Sequence, residues 1–195
     1  MSLQNQLLTA CISIFFFSMN LHAQTLGQVD GDFVIPANKD YKYSAPKTKY
    51  LAVSYNAFTS SKPDTYDFIF DTANKPYRYF TGGGNFFGYA NAPVYLPDGA
   101  IVTEIKAWIY DNDATKLTRL RLERTPFGGG NIIIGTVETT DVFASTTVQE
   151  LTTTVSETVD NSAYSYYLRF TSGASNTEEL RLYGVRITYT VSKVD

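Results

Sequence analysis

From Ile101 to Tyr110 the chain alternates. Ile101, Thr103, Ile105, Ala107 and Ile109 fall on one parity; Val102, Glu104, Lys106, Trp108 and Tyr110 fall on the other. A period of two is the signature of a β-strand. The isoleucine parity reads as a core face. The other mixes Val102, Trp108 and Tyr110 with two charges, so it reads as partly wet. After the polar break Asp111-Asn112-Asp113-Ala114, Thr118, Leu120 and Leu122 alternate with Arg119, Arg121 and Glu123. The two strands are expected to pair as an antiparallel hairpin. Unlike charges opposite each other are favourable, which sets Glu104 opposite Arg121, and with it Lys106 opposite Arg119. On that expectation Trp108, Tyr110, Arg119 and Arg121 share one outward face, where a guanidinium can stack on the indole.

Similar signals run along most of the chain. Pro97-Asp98-Gly99 is turn chemistry, because glycine accepts a positive φ without steric cost. Tyr50 to Phe58, Tyr66 to Phe70 and Ile132 to Val137 read as strands. Val142 to Val159 is rich in Thr and Ser, with weak alternation at Val148, Leu151 and Val155. Tyr164, Tyr166, Leu168 and Phe170 alternate cleanly with Ser165, Tyr167 and Arg169. In the closing stretch, Leu180 and Leu182 lie on one parity and Val185, Ile187, Tyr189 and Val191 on the other. An extra residue at Tyr183-Gly184 turns all of them to one face, so a bulge is expected there; two separate strands are the alternative. No helical period stands out beyond the first residues. About eight to ten short strands separated by turn signals imply an all-β, single-domain antiparallel β-sandwich, jelly-roll-like. An immunoglobulin-type sandwich lacks its cysteine pair here.

The phrases YLAVSYNAF, APVYLPDGA, YDNDAT, VDNSAYSYYLRF and LRLYGVRITYTV occur in that order. Together they make residues 50–191 resemble a recurrent domain of uncharacterised secreted bacterial β-sandwich proteins. The resemblance implies secretion and the sandwich. It brings no activity, cofactor or catalytic residue.

A length of 195 residues suits one domain. A chain of this size buries roughly 70% of its unfolded surface, enough for a core without disulfides. Leu7 to Phe17 is an apolar run of signal-peptide length, and Leu21-His22-Ala23 supplies a small residue before a cut ahead of Gln24. No Lys or Arg precedes the run, and a buried first element is the alternative. Leu8-Thr9-Ala10-Cys11 resembles a lipoprotein box, but Cys11 sits inside the apolar run. The expected division is a signal peptide over 1–23, an extended arm or mobile lead-in over 24–49, and the sandwich over 50–195. The run is too short to span a bilayer, so no transmembrane segment is expected in the mature chain.

The leader holds the single Cys and the single His, Cys11 and His22. The remaining chain therefore lacks Ser-His-Asp and Cys-His catalysis, and zinc sites built on His or thiolate. A net charge of −3 with interspersed signs argues against a nucleic-acid partner. Asp64, Asp67 and Asp71 invite a carboxylate-pair reading, but strand-end and solvent-face charges are the expected outcome. The runs Gly82-Gly83-Gly84-Asn85 and Gly128-Gly129-Gly130-Asn131 lack the Lys-Ser/Thr of a phosphate loop. Asp111 and Asp113 are candidate calcium ligands by oxygen chemistry, without the full EF-hand series; a plain turn is the expected outcome, with no cofactor. Nine of the 15 tyrosines fall between Tyr41 and Tyr95, among Asn, Gly and Ser, a composition that suits adaptable contact surfaces.

Sequence alone therefore favours a secreted, non-enzymatic structural or assembly protein of the envelope or extracellular space. The alternative is a glycan- or protein-binding module using a Tyr-rich surface. Enzymatic activity and toxin-like insertion of the Thr-rich stretch rank below both. Trp108, with Tyr110, Arg119 and Arg121, is the candidate binding site. Its indole is expected to be shielded by residues 25–49, a second subunit or a ligand.

Overall fold

In the computed structural model, residues 42–61, 67–70, 76–81, 87–139, 144–173 and 178–193 are described. The chain divides into two units, Met1–Asp40 and Tyr41–Asp195, and every described residue belongs to the second. The expected signal peptide, the first part of the arm and the candidate carboxylates Asp64 and Asp71 lie outside the described residues.

The strands are β1 (Lys42–Ser54), β2 (Thr59–Ser60), β3 (Asp67–Phe70), β4 (Arg78–Thr81), β5 (Phe87–Val94), β6 (Ile101–Asp111), β7 (Thr118–Pro126), β8 (Ile132–Glu138), β9 (Gln149–Thr158), β10 (Tyr164–Gly173) and β11 (Leu180–Lys193). They form two antiparallel sheets. The six-stranded sheet runs β3-β4-β11-β6-β9, with β1 also paired to β11; the five-stranded sheet runs β2-β5-β10-β7-β8. From β5 onward the chain crosses between sheets at almost every connection, as in a jelly roll. The all-β sandwich expected from the alternation is the observed fold. β1 begins at Lys42, so the last part of the stretch read as an arm is a strand paired with β11.

The expected hairpin does not form. β6 pairs with β11 and β9, whereas β7 pairs with β10 and β8 in the other sheet. Glu104 lies opposite Thr188 and Thr154; Arg121 lies opposite Arg169 and Thr136. The physical reason is burial. Each strand has one apolar face, and stacking across the sandwich buries Ile105, Ala107 and Ile109 against the layer holding Leu120 and Leu122. Each isoleucine or leucine among them gains about 1.5–3 kcal/mol on full burial.

Two irregularities set which side chains face inward. Register shifts between Leu182 and Gly184 within continuous β11, so Leu180, Leu182, Val185 and Ile187 are all buried, as the parity switch implies. A second shift falls between Val102 and Glu104 on β6, and the sequence reading missed it. Val102 turns into the core at 0% exposure, and Ile101 is left 42% exposed. At the turn before β6, Gly99 adopts φ 73°, and the Ala100 N–H donates to Pro97 O at 3.1 Å. Asp98 Oδ1 then accepts from the Asn161 N–H at 2.9 Å, tying this turn to the β9–β10 connection.

Candidate functional site

The sandwich has two outer faces, and the four residues expected together are split between them. Trp108 and Tyr110 stand on the six-stranded sheet; Arg119 and Arg121 stand on the five-stranded one.

On the six-stranded sheet, Trp108 lies opposite Gly184 on β11 and Glu150 on β9. With no side chain at Gly184, the diagonal Arg186 reaches the indole. Its guanidinium carbon is 5.7 Å from the Trp108 ring and 5.3 Å from the Tyr50 ring. The expected guanidinium–indole contact therefore exists, made by Arg186 rather than Arg119 or Arg121. Trp108 Nε1 donates to Glu150 Oε1 at 3.0 Å, and Lys106 Nζ to Glu150 Oε2 at 3.1 Å. Lys106 and Trp108 together hold the Glu150 carboxyl below its ordinary value. A second group repeats the device. Arg181 sits 4.3 Å from the Tyr110 ring and 4.6 Å from the Tyr77 ring, and Tyr77 packs 5.2 Å from Tyr183. Within its own sheet, Trp108 is half-buried beneath Arg186.

The candidate calcium loop closes the end of β6. Asp111 is buried, and its carboxylate accepts from the Asp113 N–H and the Thr139 hydroxyl. Asp113 Oδ1 accepts from the Thr115 N–H at 2.8 Å and its hydroxyl at 2.6 Å. Burial opposes its charge, but these bonds and nearby Lys116 hold the Asp113 carboxyl below the usual range. Among the described residues, no three His, Cys, Asp or Glu side chains are grouped to hold a metal ion.

The five-stranded sheet carries a different surface. Its inner face is Ala90, Ala92, Leu120, Leu122, Leu168 and Phe170, all fully buried. On the opposite parity, register places Thr59, Asn91, Arg169, Arg121 and Thr136 side by side, one from each strand. Strands lie about 4.8 Å apart, so this polar row spans roughly 20 Å. Tyr167 and Glu123 form part of the next row on one side, and Tyr89, Thr171, Arg119 and Glu138 the next on the other.

Within this surface Glu123 is 1% exposed and sits at a register shift of β7 against β8. Its Oε2 accepts from the Tyr167 hydroxyl at 2.6 Å and lies 3.3 Å from Arg169 Nη2. Burial and the Glu123 carboxylate push the Tyr167 phenol above its ordinary value, so it stays a donor at neutral pH. Arg119 pairs with Glu138 at 2.5 Å. Arg121 pairs with no carboxylate among the described residues, and its Nε is sealed from solvent without an acceptor, while Asn91 Oδ1 and Glu123 Oε1 are sealed without a donor. Arg169 carried a readable signal in sharing the polar parity with Tyr167, as Glu123 did with Arg121; the burial of Glu123 and the place of Asn91 had no local signal, because they depend on pairing between distant strands.

No helix among the described residues is long and apolar enough to cross a membrane, which leaves strand-based crossing unaddressed. No protein-family model and no curated protein matches the chain. Among solved structures, it is similar to the CBM22-1–GH10 modules of Clostridium thermocellum endo-1,4-beta-D-xylanase 10B complexed with xylohexaose, at 14% identity and TM-score 0.45. That likeness covers 78% of this chain and 28% of the xylanase chain. It is also similar to CsCBM6-3 from Clostridium stercorarium in complex with cellobiose, at 13% identity and TM-score 0.42, covering 74% of this chain and 94% of that one. A third likeness is to the enzymatically active domain of bacteriophage CBA120 tailspike protein 4, at 10% identity, TM-score 0.35, and 75% and 19% coverage. The fold itself rests on the strand pairing described above.

Proposed function

We propose that the chain is an exported, non-catalytic polysaccharide-binding module, and that its ligand lies on the outer face of the five-stranded sheet. The observation that carries this is the row Thr59–Asn91–Arg169–Arg121–Thr136, which crosses all five strands in register. It offers hydroxyls, an amide and planar guanidiniums along a straight track, with the Tyr89 and Tyr167 rings in the flanking rows. Such groups suit a ring-bearing, hydroxyl-rich ligand, and strands place them more rigidly than loops would. Sequence alone ranked a structural or assembly role first. The unpaired Arg121 at the centre of this track favours binding over that role. The lack of His and Cys beyond Cys11 and His22 removes only imidazole- and thiol-based catalysis.

Electrophoresis through gels carrying soluble polysaccharides tests the proposal, with size-exclusion chromatography and light scattering run alongside. At least one polymer is expected to retard the monomer, and Tyr89→Ala is expected to weaken that retardation about tenfold, equivalent to about 1.4 kcal/mol. A chain that self-associates and ignores every polymer would return the structural reading to first place.

A further inference from the structure

Resting on that reading, we infer that the ligand is an acidic polysaccharide, and that a uronic-acid carboxylate seats between Arg121 and Arg169. These two arginines lie directly opposite each other on β7 and β10. Like charges so placed are unfavourable. The same face shows how the fold answers a lone cation, because Arg119 has Glu138 opposite it on β8 and pairs with it. At Arg121 the β8 position holds Thr136, which cannot neutralise it.

Arg169 commits Nη2 to the Tyr167 hydroxyl and Glu123, which leaves its other terminal nitrogen without a protein acceptor among the described residues. The Arg121 Nε is sealed and unpaired, so part of its donor capacity is already desolvated without return. Two adjacent guanidiniums with donors to spare fit one carboxylate. Arginine takes that group through paired N–H donors at fixed geometry. Spacing argues against a densely charged polymer. Glu123 lies two residues along β7 from Arg121, and Glu138 lies in the adjoining row, so the cationic centre has carboxylates near it on two sides. A ligand with isolated acid groups between neutral hydroxyls avoids them; a polyphosphate does not.

The probes are glucuronoxylan and hyaluronan, whose uronic acids are separated by neutral sugars, each beside the same polymer with its carboxyls reduced to alcohols, in calcium-free buffer with EDTA. The wild-type chain is expected to be retarded at least tenfold more strongly by one of the acidic polymers than by its reduced form, with the preference fading as salt rises. Arg121→Gln should abolish the preference, and Arg121→Lys should restore part of it. Arg186→Gln removes the same charge from the opposite face and should leave the preference intact. Cooperative melting within a few degrees of the wild type would show that the variants fold. Equal retardation by acidic and reduced polymers would overturn the inference while leaving the binding reading standing. So would a preference that survives Arg121→Gln, or one lost equally in Arg186→Gln. No retardation by any of these polymers would overturn the inference, and no retardation by the wider set of polysaccharides either would overturn the binding reading with it.

Discussion

The two outer faces of the sandwich are built from similar parts but finished differently. Each has a glutamate that accepts from an aromatic donor and faces a cation: Glu150 with Trp108 and Lys106, Glu123 with Tyr167 and Arg169. On the six-stranded sheet, Arg186 and Arg181 each lie against two aromatic rings, and Glu150 uses both its oxygens. On that face Arg186 also has Glu104 3.9 Å away, so its charge is answered by its own side chains although its Nε, like that of Arg121, is sealed without an acceptor. On the five-stranded sheet the glutamate is buried, one of its oxygens is unpaired, and Arg121 is left facing Arg169. A face that leaves charge unanswered gives up stability, and such sites are where function is to be sought.

The largest expected effect separates the two glutamates. Glu123 has a side chain 1% exposed, whereas that of Glu150 is 57% exposed. Glu123→Ala strands Tyr167 and Arg169. Breaking a buried pair costs about 3–5 kcal/mol, and because Arg169 is a quarter exposed we expect about 2–3 kcal/mol here. In a domain this size that lowers Tm by roughly 5–10 °C. Glu150→Ala should leave Tm nearly unmoved and change only the Trp108 emission. Equal losses in the two variants would erase the contrast between the faces.

Gly135→Ala tests which side of β8 is inward. A Cβ there would sit 2.5 Å from Val155 Cγ1 and 2.8 Å from Ile105 Cδ1, in the space between the sheets. The crowding atoms are ends of side chains that can shift, so the cost should be about 1–2 kcal/mol, within the usual range for overpacking. Thermal unfolding reads it. No loss of stability would mean that Gly135 faces solvent and that the polar row is assigned to the wrong side.

The next pair should differ in sign. Arg121→Gln removes a cross-strand repulsion and should stabilise the chain by about 0.2–1 kcal/mol. Arg186→Gln removes the cation lying between Tyr50 and Trp108 and should destabilise it by about 0.5–1 kcal/mol. Urea midpoints at constant m would resolve both. A stability loss in Arg121→Gln would mean that Arg121 has a structural partner, and the open face would then be closed.

Much of the fold was legible because alternation is local. The bulge at Tyr183-Gly184 was readable from the parity of Leu182 and Val185, and β10 from Tyr166, Leu168 and Phe170. Pairing was not readable, because it is not local. The break at Asp111–Ala114 suits a hairpin and a crossing between sheets equally well, and the choice depends on where Leu120 and Leu122 find cover. The irregularity at Val102 has no glycine to mark it, so Ile101 and Val102 were placed on the wrong faces. The same limit explains the site. Trp108 attracted attention as the only tryptophan, but the partners that satisfy it, Arg186 and Glu150, are 78 and 42 residues away in sequence. Arg121 could be singled out, yet its lack of a partner could not be read until Arg169 and Thr136 were known to flank it.

The smallest effect is spectroscopic and belongs to the satisfied face. Glu150 is held below its ordinary carboxylate value first by the hydrogen bond from Lys106, then by that from Trp108 and by the charge of Lys106. A carboxylate depressed in the folded state favours folding above its unfolded value, about 4.3 for glutamate. That contribution is lost as the pH falls through the folded value. Because Glu150 lies at the surface, the effect on stability should be too small to detect, but Trp108 reports on it directly. Emission should hold constant from pH 8 to about 5 and change only below about 4.3, while the far-ultraviolet dichroism of the strands stays unaltered. In Lys106→Met the leading cause of the depression is gone, so the emission midpoint should move upward. A wild-type midpoint at or above the ordinary glutamate value would show that Glu150 is not held by these partners. A midpoint that ignores Lys106→Met would leave the Trp108 contact as its only support. In either case the six-stranded face would be less self-satisfied than its geometry indicates, and the contrast that directs ligand to the five-stranded face would weaken.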